Sequence, residues 1–240
     1  MLLRLENSFA SMTERVREQE RIANNLANAN TVGYKQDRLF TAALNEWLDA
    51  EDAPRSERVR TQAPDFTQGA LEETGNTFDV ALRGNGFFAL RNEATDEVVY
   101  SRAGRFTLDA EGTLRTPTGL LVEGEGGPLQ IPEEAASIEI TQRGELVIDG
   151  QPVDRLRLVA FDNPAALLRA EGAHFRAGNQ EPLEAEGLTV QQGFVETSNV
   201  DPVSTMTEMI EHFRLFESQQ KLMQTQSQVL SQVANQLGKF

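Results

Sequence analysis

The sequence predicts an α+β protein in which long N- and C-terminal helices pair as a coiled coil, with a central all-β domain of short strands between them in the chain. Near both ends, apolar residues recur at alternating steps of four and three, the spacing of a coiled-coil seam. Between the ends, turn-forming residues recur roughly every 8–12 residues, which is typical of a barrel or sandwich of short strands. We therefore divide the chain into an N-terminal helix and turn (1–36), a linker arm (37–76), the β domain (77–195) and a C-terminal helix (196–240).

The N-terminal helix is predicted over residues 2–29, a length of about 42 Å at 1.5 Å per residue. Charged residues occupy its other faces, so the helix needs a partner that buries its apolar stripe. A polar gap at Gln19 interrupts this stripe. Its apolar or small members are Leu5, Phe9, Met12, Val16, Ala23 and Leu26.

An asparagine-rich run and a glycine turn end this helix. Asn24, Asn25 and Asn28 lie in its last turns, and Gly33 can take the left-handed conformation that closes a helix. Tyr34 places a bulky ring directly after that turn. Alanine and asparagine are common near helix ends, so these residue types alone carry little weight for a specific function.

The linker arm has weak periodicity, whereas the β domain alternates clearly. Residues 49–60 are charged and contain Pro54, so we interpret them as a linker or mobile loop. The β domain opens with alternating apolar and polar residues at 78–82, followed by the turn Gly84-Asn85-Gly86. Its longest apolar-rich strand is predicted at 156–161.

The C-terminal helix is predicted over residues 203–237, with Asp201 as the N-cap and Pro202 at the first helical position. A disordered, glutamine-rich tail is the alternative, and the unbroken seven-residue rhythm favours the helix. The first seam row consists of Met209, Phe216, Met223, Leu230 and Leu237. The second consists of Phe213, Gln220, Ser227 and Ala234.

Composition excludes several classes of partner. The formal net charge of −15 argues against a nucleic-acid or anionic-membrane surface, and residues 41–200, with 13 arginines against 28 acidic residues, carry the excess. No run of eighteen apolar residues exists, so we expect no direct membrane insertion. Residues 1–9 lack the apolar core of a secretory signal. Cysteine is absent, which excludes disulfides and thiolate metal sites.

An enzymatic role is not expected from the residues. The two histidines, His174 and His212, are far apart in sequence and not spaced as a metal pair or part of a triad. Gly84-x-Gly86 lacks the third glycine and the following helix of a dinucleotide site, and no phosphate-binding loop is present. We therefore expect no catalytic residues, no metal and no cofactor.

Four blocks of sequence resemble one known family, the bacterial flagellar rod and hook proteins. The first is the run Ala23-Asn24-Asn25-Leu26-Ala27-Asn28 with the turn Asn30-Thr31-Val32-Gly33-Tyr34-Lys35. The second extends from Asp79 to Phe88, and the third is Tyr100-Ser101-Arg102-Ala103-Gly104-Arg105-Phe106. The fourth is Ser198-Asn199-Val200-Asp201-Pro202-Val203.

The resemblance implies a non-enzymatic structural subunit of the flagellar basal body, located in the periplasmic space. Its implied partners are copies of itself, the other proximal and distal rod proteins, and the flagellar type III export apparatus. The short arm and the Gly124–Pro128 segment resemble the proximal rod branch. The alternatives are a distal rod protein, a non-flagellar β-domain binding module on a coiled-coil stalk, and a hydrolase that uses carboxylates.

The resemblance and the apolar seams together predict a set of assembly residues. They are Leu5, Phe9, Met12, Val16, Asn24, Asn25, Leu26, Asn28, Gly33, Tyr34, Asn199, Pro202, Met209, Phe213, Phe216, Met223, Leu230 and Leu237.

Overall fold

The computed structural model of the chain describes residues 2–42, 59–185 and 187–237, with side chains described for 12–39, 62–185, 187–225 and 228–229. The chain forms two compact units. The helical unit consists of Met1–Ala29 together with Val200–Phe240, and the β unit consists of Asn30–Asn199.

The helical unit contains helix α1 (Leu2–Ala27) and helix α2 (Pro202–Leu237), which contact each other. Arg21 Nη2 of α1 lies 2.9 Å from Glu208 Oε1 of α2. One turn earlier in α1 and one turn later in α2, His212 Nε2 lies 3.7 Å from Glu18 Oε1. The polar contacts between the two helices therefore include an ion pair and a histidine–glutamate pair.

The predicted coiled coil is wrong, and the fold class is corrected to two terminal helices flanking a middle composed of β-strands. α1 has 26 residues against 36 in α2, and the predicted seam residues Val16 and Phe213 are 39% and 50% exposed. Ile22, which lies outside the predicted stripe, is fully buried. Of the two predicted rows of α2, the first is partly buried at Met209, Phe216 and Met223, whereas the second is not.

The second predicted seam row of α2 is displaced by one residue. His212 and Gln219 are partly buried, whereas Phe213 and Gln220 are exposed. A displacement of one residue turns a row by about 100° around the helix, which moves it to another face. The second partly buried row is therefore more polar than the second row that the sequence predicts.

The start of α2 is set by local sequence. The backbone N–H of Val203 donates to Asp201 Oδ1 at 3.0 Å, and Thr205 Oγ1 donates to the Asp201 carbonyl at 2.7 Å. Pro202 begins the helix, where the hydrogen that proline lacks would have no partner. The predicted N-cap at Asp201 is confirmed.

The described part of the β unit contains eighteen strands and one short 3-10 helix, Pro164–Ala166. The strands are β1 (Asp37–Ala42), β2 (Val59–Pro64), β3 (Leu71–Glu73), β4 (Val80–Arg83), β5 (Phe87–Arg91), β6 (Val98–Ser101), β7 (Thr107–Leu108), β8 (Leu114–Arg115), β9 (Leu121–Val122), β10 (Ile138–Ile140), β11 (Glu145–Ile148), β12 (Gln151–Arg155), β13 (Leu158–Ala160), β14 (Leu168–Arg169), β15 (His174–Arg176), β16 (Leu183–Glu184), β17 (Thr189–Gln192) and β18 (Phe194–Glu196).

Every strand pair in the described residues is antiparallel, as short strands joined by tight turns require. The largest sheet has nine strands, in the order β14-β15-β6-β5-β9-β8-β7, with β13 joining β5 to β16. A three-stranded sheet has the order β10-β11-β12. The pairs β1-β2, β4-β17 and β3-β18 complete the unit.

Two apolar clusters fill the β unit because the buried faces of β5 point in opposite directions. Phe88 and Leu90 belong to one cluster, and Phe87 and Ala89 belong to the other. Strand β5 is buried on both faces and is therefore central to the unit.

The stretch that we interpret as a linker arm contains strands β1, β2 and β3. β1 pairs with β2, with Asp37 opposite Pro64. Residues 43–58, which hold most of the predicted mobile loop, lie outside the described residues. The four-part division of the chain stays a prediction. Neither α1 nor α2, over its described residues, is apolar enough to cross a membrane.

Candidate functional site

The turn that follows α1, residues 33–36, contacts residues 196–199, the segment that precedes α2. Both lie within the β unit. The backbone N–H of Gly33 donates to the Glu196 carbonyl at 2.7 Å, and that of Gln36 donates to Asn199 Oδ1 at 2.8 Å. We call this region the junction, and it comprises residues 33–36, 65–69, 102–104 and 196–199. It joins two segments of the chain that are about 160 residues apart in sequence.

Gly33 is required by two separate constraints. Its φ of +68° lies in the left-handed region, which confirms the predicted conformation. A Cβ atom at this position would also approach the backbone of Arg102 and Ala103 to well under 3.0 Å. The glycine therefore allows the turn to lie directly on the segment after β6.

The centre of the junction is a buried group of three charges. Lys35 Nζ lies 2.5 Å from Glu196 Oε1, and both side chains are 0% exposed. Arg102 Nη1 lies 3.6 Å from Glu196 Oε2, with the Arg102 side chain 3% exposed. We call these three residues the charge triad. With both bases protonated, it holds two positive charges and one negative charge away from water.

Neighbouring backbone groups satisfy part of the charge triad. Lys35 Nζ also donates to the Thr67 carbonyl at 2.6 Å, and the Gly69 N–H donates to Glu196 Oε1 at 2.9 Å. Arg102 Nη2 donates to a backbone carbonyl, but Arg102 Nε and Nη1 and Glu196 Oε2 find no hydrogen-bond partner among the described residues. Burial lowers the pKa of the Lys35 ammonium group, and the adjacent Glu196 carboxylate opposes this shift. Burial also lowers the pKa of Arg102.

Tyr34 and Asp37 attach the same turn to strand β14. The Arg169 guanidinium lies 4.7 Å from the centre of the Tyr34 ring. It forms two hydrogen bonds to Asp37, from Nη2 to Oδ1 at 2.8 Å and from Nε to Oδ2 at 3.0 Å, and also donates to the Lys35 carbonyl. This two-point geometry holds Asp37 and the arginine plane in a fixed orientation. Tyr34 is buried, which raises the pKa of its hydroxyl group.

Asn199 binds the C-terminal side of the junction to residues 65–67. Its Nδ2 donates to the Asp65 carbonyl at 2.8 Å and to Thr67 Oγ1 at 3.0 Å, while its Oδ1 accepts from Gln36. One amide side chain thus uses both its donor and its acceptor groups, which a carboxylate or an apolar residue cannot do.

The structure separates the remaining predicted residues into several environments. In the helical unit, Asn25 is buried and Asn28 Nδ2 donates to the Asn24 carbonyl at 2.9 Å, while Asn24 and Pro202 are exposed. The partly buried apolar residues are Met12, Leu26, Met209, Phe216 and Met223. The side chains of Leu5, Phe9, Leu230 and Leu237 lie outside those that the structure describes.

The sequence interpretation missed the charge triad. Lys35 and Arg102 both occur in the blocks that carry the family resemblance, but Asp37, the acid nearest to Lys35, pairs with Arg169, and Arg102 has no acid within four residues. A basic residue directly after Gly33-Tyr34 was the available signal. Its partner Glu196 is 161 residues away, and only folding brings the two together.

The lowered pKa of Lys35 predicts that the stability of the protein depends on pH. Its pKa is lowered in the folded protein, so below the ordinary value of about 10.4 the folded state holds fewer protons than the unfolded state. The free energy of unfolding is therefore expected to rise with pH up to about 10, above which the raised pKa of Tyr34 acts in the opposite direction. Urea denaturation between about pH 8 and 10 measures this, and Lys35→Met should flatten the curve.

The junction has the properties of a mechanical connection. No group of three or more potential ligands in the described residues is placed to hold a metal ion. Hydrogen bonds and the charge triad instead connect the segments that lead to the two terminal helices with the sheets of the β unit. Such an arrangement is typical of a structural protein, in which two segments distant in sequence are held together within one β unit.

Three family models match the chain. The flagella basal body rod protein model matches residues 11–35, the flagellar hook protein FlgE/F/G D1 domain matches 81–148, and the flagellar basal body rod FlgEFG protein C-terminal model matches 191–237. The first ends at Lys35, and the third includes Glu196 and Asn199. The matched regions therefore include both sides of the junction.

Curated relatives match over nearly the full length. The flagellar basal-body rod protein FlgF of Caulobacter vibrioides is 31% identical over 230 residues, which is 93% of this chain and 93% of the relative. FlgG of Bacillus subtilis is 30% identical over 264 residues, 98% of this chain and 99% of the relative. FlgF of Escherichia coli is 30% identical over 230 residues, 90% of each chain.

The chain belongs to the flagellar basal-body rod protein family. It is a structural subunit of the flagellar rod, and the family prediction made from the sequence blocks is confirmed.

Proposed function

We propose that this chain is a subunit of the proximal part of the rod, that it is not an enzyme, and that it assembles with copies of itself and with other rod proteins. Its likeness to FlgF in length supports the proximal assignment. The alignment with FlgF of C. vibrioides extends over 230 residues, whereas that with FlgG of B. subtilis extends over 264, more than the 240 residues of this chain. FlgG of B. subtilis thus carries residues that this chain lacks.

The observation that carries the assembly proposal is the unpaired apolar surface of α2. Val203, Met206, Ile210 and Phe213 are each at least half exposed and follow one another at steps of three, four and three. Residues with this spacing form a single stripe along a helix. A continuous exposed apolar stripe marks a surface that a protein partner covers.

Other rows of apolar residues extend around α2. Leu215, Leu222 and Val229 recur every seven residues and are each about half exposed or more. Met209, Phe216 and Met223 form the partly buried row. At 100° per residue these rows and the first stripe lie roughly 120° apart around the helix. A helix with apolar residues on three sides is suited to packing among several neighbours at once.

We assign the predicted assembly residues to this role, in two groups. The helical residues supply surfaces between neighbouring subunits, and the junction residues fix the segments that lead to the helices. The family resemblance supports export through the flagellar type III apparatus and a position in the periplasmic part of the basal body. The net charge of −15 supports partners other than nucleic acid.

Replacing two residues of the exposed stripe tests the assembly proposal. Ile210→Ser with Phe213→Ser is expected to abolish incorporation into the rod, and with it motility, because two half-exposed apolar side chains lose their contacts with a neighbour. The stability of the isolated chain should change little. Immunoblots of isolated basal bodies from the native bacterium measure incorporation, and Glu211→Ser, an exposed position on the same helix, is the matched control.

Normal incorporation of the double variant would contradict the role of the stripe. A distal position remains the second candidate, because FlgG of Agrobacterium fabrum is 34% identical over 91% of this chain. Electron cryomicroscopy of basal bodies that carry a tagged copy separates the two: density near the inner membrane supports the proximal assignment, and density near the hook supports the distal one.

A further inference from the structure

A groove of about 270 Å³ on the β unit concentrates arginine in an otherwise acidic region. Arg143, Arg155 and Arg157 line it, and its floor is apolar, with Leu158 and Leu188 partly buried. Three of the 13 arginines between residues 41 and 200 thus surround one small depression. The groove lies beside the end of β12 and the start of β13.

Arg143 and Arg157 are not fully neutralised by neighbouring carboxylates. Arg155 lies 3.4 Å from Glu125 and 3.7 Å from Glu184, which also line the groove. Arg143 is exposed and has no carboxylate partner in the described part of the chain. Arg157 Nη1 is 4.0 Å from Glu123, which already forms two hydrogen bonds to Arg91.

The β unit also presents an acidic turn with complementary properties. Glu133 and Glu134 are both exposed, and neither forms an ion pair with any described residue. The backbone around them is hydrogen-bonded: the Ala135 N–H donates to the Pro132 carbonyl at 3.1 Å. Asp149 Oδ1 accepts from the N–H groups of residues 136 and 137 at 3.0 and 2.8 Å. Two free carboxylates are thus held on a preorganised turn.

The groove and the acidic turn lie at opposite ends of one three-stranded sheet, since Ile138 pairs with Ile148 and Arg155 pairs with Glu145. In the order β10-β11-β12, the outer strands are β10 and β12. The acidic turn directly precedes β10 at Ile138, and the groove begins at Arg155, the last residue of β12. A contact between two different patches of the same chain is head-to-tail, and it can repeat from one subunit to the next.

We propose that the arginine groove of one subunit binds the Glu133–Glu134 turn of a second copy of this chain. The inference rests on the proposed function, because it requires subunits that polymerise. Arginine and carboxylate groups form directional ion pairs, so this contact would fix the orientation of neighbouring β units. It would also offset the repulsion between β units that each carry a large negative charge.

Cysteine cross-linking tests the contact, since the natural chain contains no cysteine. A chain with Glu134→Cys and Arg157→Cys is expressed in the native bacterium, and isolated basal bodies are treated with a mild oxidant. Covalent dimers and longer ladders are expected on a non-reducing gel. The matched control combines Arg157→Cys with Glu73→Cys, an exposed acidic position on β3, which pairs with β18 outside the three-stranded sheet.

Charge reversal tests the same contact independently. Arg143→Glu with Arg157→Glu is expected to lower incorporation into basal bodies at least tenfold, with a larger deficit at low than at high ionic strength, because salt screens the repulsion between like charges. Adding Glu133→Arg and Glu134→Arg to the same chain should restore most of the loss, because every contact is then reversed in both partners.

The outcomes distinguish a failure of the proposed function from a failure of the groove contact. Absence of the unmodified chain from basal bodies would refute the proposed function itself. A chain that is incorporated but gives no ladder, or gives equal ladders with the control pair, would refute the groove contact alone. Failure of the fourfold charge swap to restore incorporation, when its β unit retains normal unfolding, would also refute the contact.

Discussion

Gly33→Ala is expected to destabilise the β unit by about 2–5 kcal/mol and to prevent assembly of the rod. The left-handed conformation at φ +68° costs an alanine about 1–2 kcal/mol. The added methyl group also collides with the backbone of Arg102 and Ala103, and forced overpacking of this kind costs about 1–3 kcal/mol more. Urea denaturation measures the first effect, and a motility assay measures the second.

Gly75→Ala is the matched control for this prediction. Gly75 has nearly the same φ, +69°, but a Cβ atom there would find nothing within 4 Å. It should therefore show only the conformational cost of about 1–2 kcal/mol and retain motility. If the two alanine variants lose the same stability, the close approach at Gly33 contributes nothing, and the structural account of this turn is incorrect.

Glu196→Gln is expected to be the most damaging single change in the charge triad, at about 3–5 kcal/mol. The amide keeps the size of the side chain and an acceptor for the Gly69 N–H, so the main loss is the negative charge. Lys35 and Arg102 would then remain buried with two positive charges and no counter-charge. Urea denaturation of the full chain at neutral pH measures the change in the free energy of unfolding.

Lys35→Met should be clearly milder, at about 1–2 kcal/mol, because Glu196 and Arg102 then remain as a neutral pair. The Thr67 carbonyl still accepts from Asn199 Nδ2 at 3.2 Å, so it is not left unsatisfied. Glu97→Gln provides the exposed comparison: Glu97 pairs with Arg176 at 2.6 Å, but its side chain is 42% exposed, so the expected loss is about 0–1 kcal/mol. If Lys35→Met and Glu196→Gln lower the free energy of unfolding equally, the balance of charges does not determine how the triad contributes to stability.

The extent to which sequence predicted this protein depends on the range of the interactions involved. The start of α2 at Pro202 and the positive φ of Gly33 follow from interactions within a few residues, and both were predicted. The family was also predicted, because its blocks are continuous stretches of chain. Of the candidate site, Gly33, Tyr34 and Asn199 were predicted as residues, while their common location in one junction was not.

The tertiary structure decided which side of each helix is buried and which charges meet. Apolar periodicity predicts that a helix has an apolar stripe, but it does not specify the partner that covers the stripe. Because α2 has apolar residues on three sides, the coiled-coil interpretation placed its second row one residue away from the partly buried His212 and Gln219. The charge triad depends on contacts between Lys35, Arg102 and Glu196, whose separation in sequence leaves no local pattern. Local sequence therefore determined where the helices and turns of this protein form, whereas the packing of distant segments determined how they are fastened together.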